Sequence, residues 1–351
     1  MFFKKATFLL PLALALVVSG CGQSSSSNSA GTTPSSEGAA ATGSDKPINI
    51  ILSHNAPNGN SISRAILKFK EEVESESKGR LKVQIFGEAQ LGSDREQIEQ
   101  TQLGSINITG HSASAVSTFV KEVELLDMPF MWPSDEKMWE VQQGPVGDEV
   151  LATLSDAGLK GLSIWAISQK HFTNNEHPIT GPQDLKGMGF RVIPSPMLIK
   201  QYELWGANPT PIDFGELYSA LQTGVVKGQD NGLETIYTNN YHEVQKFLTL
   251  SGHNSLSYIF FANENWFNGL PEDLQAIIAK ASKNAAQNHY TTRVAEEAEI
   301  LQKIKESGVQ VNELSPEAKE EFKSLLQPLY DEFITTDKQK DLYKKIQEAV
   351  K

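Results

Sequence analysis

The residues that could carry out catalysis or bind a metal are few and widely spaced in this chain. Its single cysteine is Cys21, and none of its seven histidines has another histidine two to five positions away, as a compact histidine metal site would need. The motifs G-x-x-x-x-G-K-[ST], G-x-G-x-x-G, H-E-x-x-H and G-x-S-x-G, which bind phosphates, dinucleotides or zinc or carry a nucleophilic serine, are all missing. We therefore expect no catalytic residue, no metal and no cofactor, and a protein that is not an enzyme.

One cation has surroundings that suit ligand binding. Arg191 lies between Phe190 and Val192 in a predicted strand, 189–193. A guanidinium offers a planar fork of donors that matches the two oxygens of a carboxylate. From the residues alone two interpretations stay open: Arg191 anchors a carboxylate ligand, or it forms a structural ion pair at the surface.

The overall charge narrows the class of partner. The 351 residues carry 31 basic and 43 acidic side chains, a formal charge of −12. A chain with no basic surplus has little with which to neutralise phosphates, so we expect no nucleic-acid partner. A small anionic ligand is compatible with this charge, because a pocket needs only a few local cations.

The first residues indicate export. Lys4 and Lys5 precede an apolar run, 6–18, which is shorter than the ~20 residues of a membrane-spanning helix and fits a signal peptide. The run ends in VSGC (18–21), which resembles the lipobox of bacterial lipoproteins. That resemblance implies cleavage before Cys21 and a diacylglycerol on its sulfur, which would anchor the exported protein at the outer face of the cell membrane. A plain signal peptide with an incidental cysteine is the alternative.

A polar segment separates this leader from the remainder of the chain. Residues 22–45 contain no large apolar side chain, so they cannot bury a core, and they have the composition of a flexible tether. We predict a signal peptide at 1–20, a tether at 21–46 and a folded region at 47–351.

The folded region alternates between strand and helix patterns. Strands are predicted at 48–52, 81–86, 106–109, 159–167, 189–193, 225–229, 247–250, 257–263 and 309–314. Helices are predicted at 63–77, 94–103, 195–205, 215–223 and from Pro271 to Gly308, with two more at the end. This order favours an α/β fold with a mostly parallel sheet and two lobes, in which ligands bind at loops that follow strands.

Five stretches resemble, in order, the substrate-binding proteins of tripartite ATP-independent periplasmic (TRAP) transporters, and the likeness spans about 48–345. They are GRLKVQIFGEAQLGSDREQIEQTQLGSINI (79–108), PITGPQDLKGMGFRVIPSP (178–196), LWGANPTPIDFGELYSALQTGVVKGQDN (204–231), YHEVQKFLTLSGH (241–253) and NENWFNGLPEDLQ (263–275).

The resemblance implies a periplasmic-binding-protein-like fold. Two α/β lobes, joined by crossing strands and a long helix, would close on a ligand in the cleft between them. We expect lobe 1 at about 47–165 with part of the later chain, lobe 2 at about 166–260, and C-terminal helices at 271–351. The ligand would be a dicarboxylate, a sugar acid or a similar small organic acid, delivered to two integral membrane subunits.

The resemblance also assigns residue roles. Arg191 matches the arginine that pairs with the ligand carboxylate, and Asn231 matches a nearby asparagine. Phe214 matches an aromatic residue that covers the ligand, Asn55 a polar residue of the first loop, and Ser112 a polar or acidic contact. For these, a turn asparagine, a core phenylalanine and a loop serine are the structural alternatives.

Four further residues are weaker candidates. Lys170 stands where some members, notably sialic acid binders, have a second arginine, and a lysine keeps the charge but loses the fork. His54, Trp165 and Gln229 are candidates from loop position alone.

Two other departures from the family pattern fall near Asn231. Lys227 replaces a common aspartate, and Gly232 replaces a common proline. We expect the glycine to loosen its turn, although neutral drift at both positions is the alternative.

Two other classes of function compete with transport. The chain could present a ligand to a membrane receptor kinase as a sensor, or it could be an enzyme. Neighbouring genes for two membrane subunits would favour transport, a neighbouring sensor kinase would favour sensing, and substrate turnover would be required of an enzyme.

The lipid anchor can be tested directly. Cys21→Ser should move the protein from the membrane fraction to the soluble fraction, because each buried acyl CH₂ group contributes ~0.8 kcal/mol to anchorage. Ligand affinity should be unchanged. Ser27→Ala, a control within the tether, should stay with the membrane. Retention of the Cys21→Ser protein at the membrane would contradict the lipoprotein prediction.

Overall fold

Nine strands, numbered β1 to β9 in chain order, form one sheet. The computed structural model describes residues 46–351, and all nine strands lie within that range. The strands are Ile48–His54, Leu81–Phe86, Ile108–Ser112, Leu159–Asn174, Gly189–Val192, Asn208–Pro211, Gly228–Asn231, Phe247–Asn263 and Gln310–Glu313.

The centre of the sheet is antiparallel and its flanks are parallel. The strand order is β2-β1-β3-β8-β4-β7-β5-β6, and β9 pairs with β8 outside this path. β1 pairs in parallel with β2 and β3, and β5 pairs in parallel with β6 and β7. However, β8 runs antiparallel to β3 and β4, and β4 runs antiparallel to β7. The prediction of a mostly parallel sheet is therefore right for the flanks and wrong for the centre.

The two long strands, β4 and β8, cross between two lobes. At one end, residues 258–262 of β8 pair with β3, beside β1 and β2. At the other end, residues 171–174 of β4 pair with β7, and residues 247–250 of β8 pair with β9. We call β1–β3 with their helices the first lobe, and β5–β7 with β9 and their helices the second lobe.

Helices cover both faces of this sheet. Within residues 46–351 there are fourteen α-helices, α1 to α14: Ser61–Glu76, Asp94–Gln102, Ala113–Val116, Asp135–Gln142, Pro145–Ala152, Pro196–Leu204, Leu217–Thr223, Leu233–Thr238, Tyr241–Val244, Glu264–Asn268, Glu272–Glu306, Pro316–Ser324, Gln327–Phe333 and Asp337–Ala349. Four 3₁₀ helices lie at Lys121–Asp127, Thr153–Ala157, Pro182–Leu185 and Phe214–Glu216.

The longest helix, α11, packs against both lobes. Its 35 residues extend for about 50 Å at 1.5 Å per residue. It contacts α1 of the first lobe, the crossing strand β4, and α8 of the second lobe. Pro271 is its N-cap, and Gly308, at φ 95°, follows its end. The helix predicted between these two residues is confirmed.

The other predicted elements differ from the structure mainly in the crossing strands. The strands predicted at 247–250 and 257–263 are one strand, β8, and the strand predicted at 159–167 continues to Asn174. β3 lies two to three residues later than predicted and ends at Ser112. The helices between 113 and 152 were not predicted.

The predicted leader, the lipidation site at Cys21 and the tether, apart from its last residue, lie outside the described residues. Among residues 46–351, no helix combines the length and the apolar character needed to cross a membrane.

Gly232 makes room for a neighbouring side chain. Its φ of −70° and ψ of 159° suit any residue, proline included, so backbone conformation does not demand a glycine. A Cβ at this position, however, would overlap Ser168 Oγ and lie 3.0 Å from Ser168 Cβ. The structure therefore gives a steric reason for the glycine, in place of the expected loosening of the turn. Gly232 follows Asn231 directly, and the absence of a Cβ there leaves room for the Ser168 side chain.

This fit predicts coupling between the two positions. Gly232→Ala should lower the free energy of unfolding by about 1–3 kcal/mol, since the new methyl must displace Ser168. In a Ser168→Gly background the same change should cost less, and a double-mutant cycle by urea denaturation should give a coupling energy of at least ~0.5 kcal/mol. Gly189→Ala is the control, because a Cβ there meets nothing within 4 Å. Additive effects at 168 and 232 would contradict the explanation.

Candidate ligand-binding site

A cavity lies between residues of the two lobes. The space there that protein atoms do not fill, which includes space open to solvent, is about 500 Å³. Five predicted contacts line it: Asn55, Ser112, Arg191, Phe214 and Asn231. Its other lining residues are Ala56, Pro57, Asn60, Ile62, Asp94, Ile193, Thr235, Leu256 and Tyr258.

Arg191 supplies the positive charge of the cavity. It lies on β5 and is 1% exposed. Its Nε donates to the carbonyl oxygen of Ile212 at 2.9 Å, which fixes the plane of the guanidinium. Its Nη1 is buried and has no hydrogen-bond partner among the described residues. Burial lowers the pKa of Arg191, but an arginine remains protonated at neutral pH.

Asp94 lies on the first-lobe wall of the same cavity. Ser93 caps α2 in a capping box with Glu96, so Asp94 is the first helical residue, where the helix dipole favours a carboxylate. Its Oδ1 accepts from Asn55 Nδ2 at 2.6 Å and lies 3.2 Å from His111 Nδ1. Burial acts to raise the pKa of Asp94, but His111, Asn55 and the field of Arg191 outweigh it and hold the pKa below its ordinary value.

Asn231 is held by a chain of amide and hydroxyl groups. Its Nδ2 donates to Gln229 Oε1 at 2.6 Å, and Gln229 Nε2 donates to Thr173 Oγ1 at 2.7 Å. Gln229 was predicted as a contact from its loop position. The structure instead buries it behind Asn231, where it orients the asparagine and does not line the cavity.

Lys170 also lies behind the cavity rather than in its lining. Its Nζ is 2.8 Å from Asp230 Oδ2, and both side chains are 1% exposed. His253 Nε2 is 3.1 Å from the same oxygen. Burial acts to raise the pKa of Asp230, but Lys170 and His253 outweigh it and hold the pKa far below its ordinary value. Lys170 therefore neutralises a buried carboxylate, and the second ligand-binding cation predicted from its position is not found there.

His253 contributes to this cluster as a neutral ring. Burial lowers its pKa to about 4, although Asp230 acts in the opposite direction. Since a carboxylate only accepts hydrogen bonds, Nε2 carries the proton toward Asp230, and Nδ1, 2.7 Å from Ser251 Oγ, accepts.

Trp165 and His54 are likewise buried away from the cavity lining. Trp165 Nε1 donates to Ser163 Oγ at 2.9 Å, and its ring packs against Tyr258 and His289. Burial, with the field of His111, lowers the pKa of His54 to about 4. Both predictions rested on loop position, whereas Trp165 lies within β4 and His54 at the end of β1, and both side chains are buried.

Sequence reasoning missed two functional candidates, Asp94 and Tyr258. Asp94 resembled a surface carboxylate at a helix start, although its place in the connection after β2 was a usable signal. Tyr258 lies within β8 and carries no comparable signal. Its hydroxyl is buried without a hydrogen-bond partner in the described part of the chain, and burial raises its pKa well above the ordinary value, so it stays protonated.

A contact between the two lobes lies beside the cavity. Ser61, at the start of α1, donates through its backbone N to Glu234 Oε1 of α8 at 2.6 Å, and its hydroxyl donates to Glu234 Oε2. His289 Nδ1 of α11 lies 2.8 Å from the same hydroxyl. Asn60 and Thr235, the chain neighbours of Ser61 and Glu234, both line the cavity, so this contact adjoins it.

The groups that line the cavity can bind a ligand through charge, hydrogen bonds and apolar contact. The cavity offers one guanidinium, the Asp94 carboxylate, several amide and hydroxyl groups and apolar walls. Within residues 46–351, no group of three or more His, Cys, Asp and Glu side chains could hold a metal ion. A small anionic solute fits this arrangement.

The chain matches known proteins along most of its length. The sequence model of the family described as bacterial extracellular solute-binding protein, family 7, matches residues 52–337. The C4-dicarboxylate-binding periplasmic protein DctP of Rhodobacter capsulatus is 32% identical over 291 residues, which cover 82% of this chain and 86% of that protein.

Solved structures give the same likeness in three dimensions. The sugar acid binding protein DctPAm from Advenella mimigardefordensis, in complex with galactonate, is 30% identical with a TM-score of 0.82, covering 87% of this chain and 99% of that one. A TRAP periplasmic solute binding protein from Sulfurospirillum deleyianum with bound succinate is 32% identical with a TM-score of 0.80, covering 86% and 99%.

The buried ion pair behind the cavity predicts a large effect on stability. Lys170→Met should lower the free energy of unfolding at pH 7 by about 3–5 kcal/mol, because it strands the Asp230 carboxylate. The loss should shrink as the pH falls, since protonation of Asp230 removes the stranded charge. In the wild type, the contribution of Asp230 is present above its unfolded pKa of about 3.9 and fades only below it, because its folded pKa is depressed.

Urea denaturation at pH 7 and pH 4 measures both effects. Lys170→Met combined with Asp230→Asn should be more stable than Lys170→Met alone. Lys200→Met is the control, because the Lys200–Glu332 pair is 34% and 52% exposed and should contribute at most ~1 kcal/mol. If Lys170→Met and Lys200→Met lower the free energy of unfolding equally, the buried pair contributes no more to stability than the exposed pair.

Proposed function

Because the chain belongs to the bacterial extracellular solute-binding proteins of family 7, the binding subunits of TRAP transporters, we propose that Arg191 anchors a small carboxylate ligand in the cavity between its lobes. The chain carries this solute toward its membrane partner and performs no chemistry on it.

The unpartnered Nη1 of Arg191 is the observation that carries this proposal. A buried charge is costly unless it is paired, and Arg191 Nη1 has no partner within residues 46–351. A ligand carboxylate would supply the missing acceptor and would receive a charge-assisted hydrogen bond in return. Asn231 and Ser112 would donate further hydrogen bonds, and Phe214 would cover the apolar part of the ligand.

The lining residues come from both lobes, which fits capture of the ligand by closure of the lobes around it. Arg191, Phe214 and Asn231 come from the second lobe, while Asn55, Asp94 and Ser112 come from the first. A ligand that bridges them stabilises the closed arrangement over an open one. The Ser61–Glu234 contact adds to the closed state without touching the ligand.

Location and partner follow from the family and from the leader. Members act outside the cytoplasm, and the relatives from Rhodobacter capsulatus and Sulfurospirillum deleyianum are periplasmic proteins. For this chain we propose an anchor at lipidated Cys21, supported by the VSGC sequence at 18–21. The tether would then let the folded region reach the two TRAP membrane subunits from a fixed point on the membrane.

The role of Arg191 has a quantitative consequence. Arg191→Ala should weaken carboxylate binding at least ~100-fold, or ~2.7 kcal/mol, because it removes the anchor and leaves the ligand charge unpaired. Arg191→Lys should restore only part of the affinity, since an ammonium is a point donor. Isothermal titration calorimetry with galactonate and succinate measures each constant.

A surface arginine provides the matched control. Arg80→Ala removes a guanidinium that is 53% exposed and paired with Asp273, and it should leave affinity unchanged. Binding of either acid to Arg191→Ala with wild-type affinity would eliminate Arg191 as the anchor.

A further inference from the structure

Two side chains of opposite charge define the electrostatics of the cavity. Among the described residues that line it, only Arg191 and Asp94 are charged. Asp94 is ionised at neutral pH, because its environment holds its pKa below the ordinary range of an aspartate. A ligand with one negative charge can pair with Arg191. A second negative charge on the ligand would be repelled by the Asp94 carboxylate.

Lys170, a buried cation that does not line the cavity, is already paired with a carboxylate. Lys170 lies 2.8 Å from Asp230, and both are almost fully buried. Withdrawing Lys170 to serve a ligand would strand the Asp230 carboxylate, which is unfavourable. Asp213, whose pKa is raised by burial and by the nearby Asp94, supplies no positive charge either. A dicarboxylate would therefore enter a site with one cation and an opposing anion.

The uncharged lining suits hydroxyl groups. Asn55, Asn60, Ser112 and Asn231 present amide and hydroxyl groups, which can both donate to and accept from an alcohol. The Tyr258 hydroxyl is buried without a partner in the part of the chain that the structure describes. Both protein contacts of Asp94 engage Oδ1, so Oδ2 is available to accept from a ligand hydroxyl.

We propose that this site selects a hydroxylated monocarboxylate, of the sugar-acid class, over a dicarboxylate, and that Asp94 determines this specificity. The carboxylate of the ligand pairs with Arg191, and its hydroxyls donate to Asp94 and exchange hydrogen bonds with the amides. This inference rests on the proposed function and narrows it, because the solved relatives include proteins with galactonate and with succinate.

Calorimetry on the wild-type protein tests the proposal first. The probes are galactonate, galacturonate and glucuronate against succinate, malate and fumarate, at pH 7.5 and fixed ionic strength. The tightest sugar acid should bind at least ~100-fold more tightly than the tightest dicarboxylate, a difference of ~2.7 kcal/mol. A dicarboxylate that binds as tightly as the best sugar acid, or more tightly, overturns the proposal.

Asp94→Asn then tests the residue. This substitution keeps the size of the side chain and removes its charge. It should weaken sugar-acid binding and strengthen succinate binding. The ratio of sugar-acid affinity to succinate affinity should therefore fall at least 10-fold. Asp213→Asn removes a nearby charge that does not line the cavity and should change the ratio less than 3-fold. An unchanged ratio in Asp94→Asn, or an equal change in Asp213→Asn, overturns the assignment to Asp94.

The outcomes separate this inference from the function on which it rests. The first test measures the selectivity of the wild-type protein, so it remains valid even if the Asp94→Asn protein fails to fold. If no probe of either class binds, or if Arg191→Ala binds as the wild type does, the proposed carboxylate anchor fails. If Arg191→Ala loses binding but dicarboxylates are preferred, only the inference about ligand class fails.

Discussion

A buried guanidinium with an unfilled hydrogen-bonding position is the constraint around which the binding site is organised. Arg191 is fixed by β5 and by the carbonyl oxygen of Ile212, so it cannot turn away to solvent. The nearby carboxylates act on it through their fields, but Asp94 is engaged by Asn55 and His111. The protein thus buries a cation that has one open hydrogen-bonding position. Under the proposed function, a ligand carboxylate would fill that position and become part of the electrostatic balance of the closed form.

Arg191 and Lys170 are both buried cations, but only Lys170 is paired with a carboxylate of the protein at hydrogen-bond distance. Lys170 shares Asp230 with a neutral His253, and its charge is balanced inside the protein. This cluster lies on the crossing strand β4 and on β7, which also carries Asn231. Its integrity therefore sets the position of a cavity residue, even though none of its members lines the cavity.

The sequence predicted the residues that line the cavity better than it predicted the buried residues behind them. Arg191 and Asn231 were found because a family resemblance marked them on strands whose ends meet the cleft. Lys170 was misplaced because β4 pairs with β7 in antiparallel register, His171 opposite Asn231, which puts Lys170 and Asp230 diagonally across the same face. No local pattern specifies that register. No strand was predicted over the polar residues 251–255, yet they belong to β8, where Ser251 Oγ lies 2.7 Å from His253 Nδ1.

The crossing strands also govern the order in which this chain can acquire its structure. Strand β3 ends at Ser112, but its neighbour in the sheet is residues 258–262 of β8, and β4 needs the same strand along most of its length. Until about 150 further residues have followed β3, the first lobe carries an open sheet edge, and contacts so distant along the chain form slowly. Neither lobe can be a folding unit in its own right, and the sheet is completed only when most of the polypeptide is present.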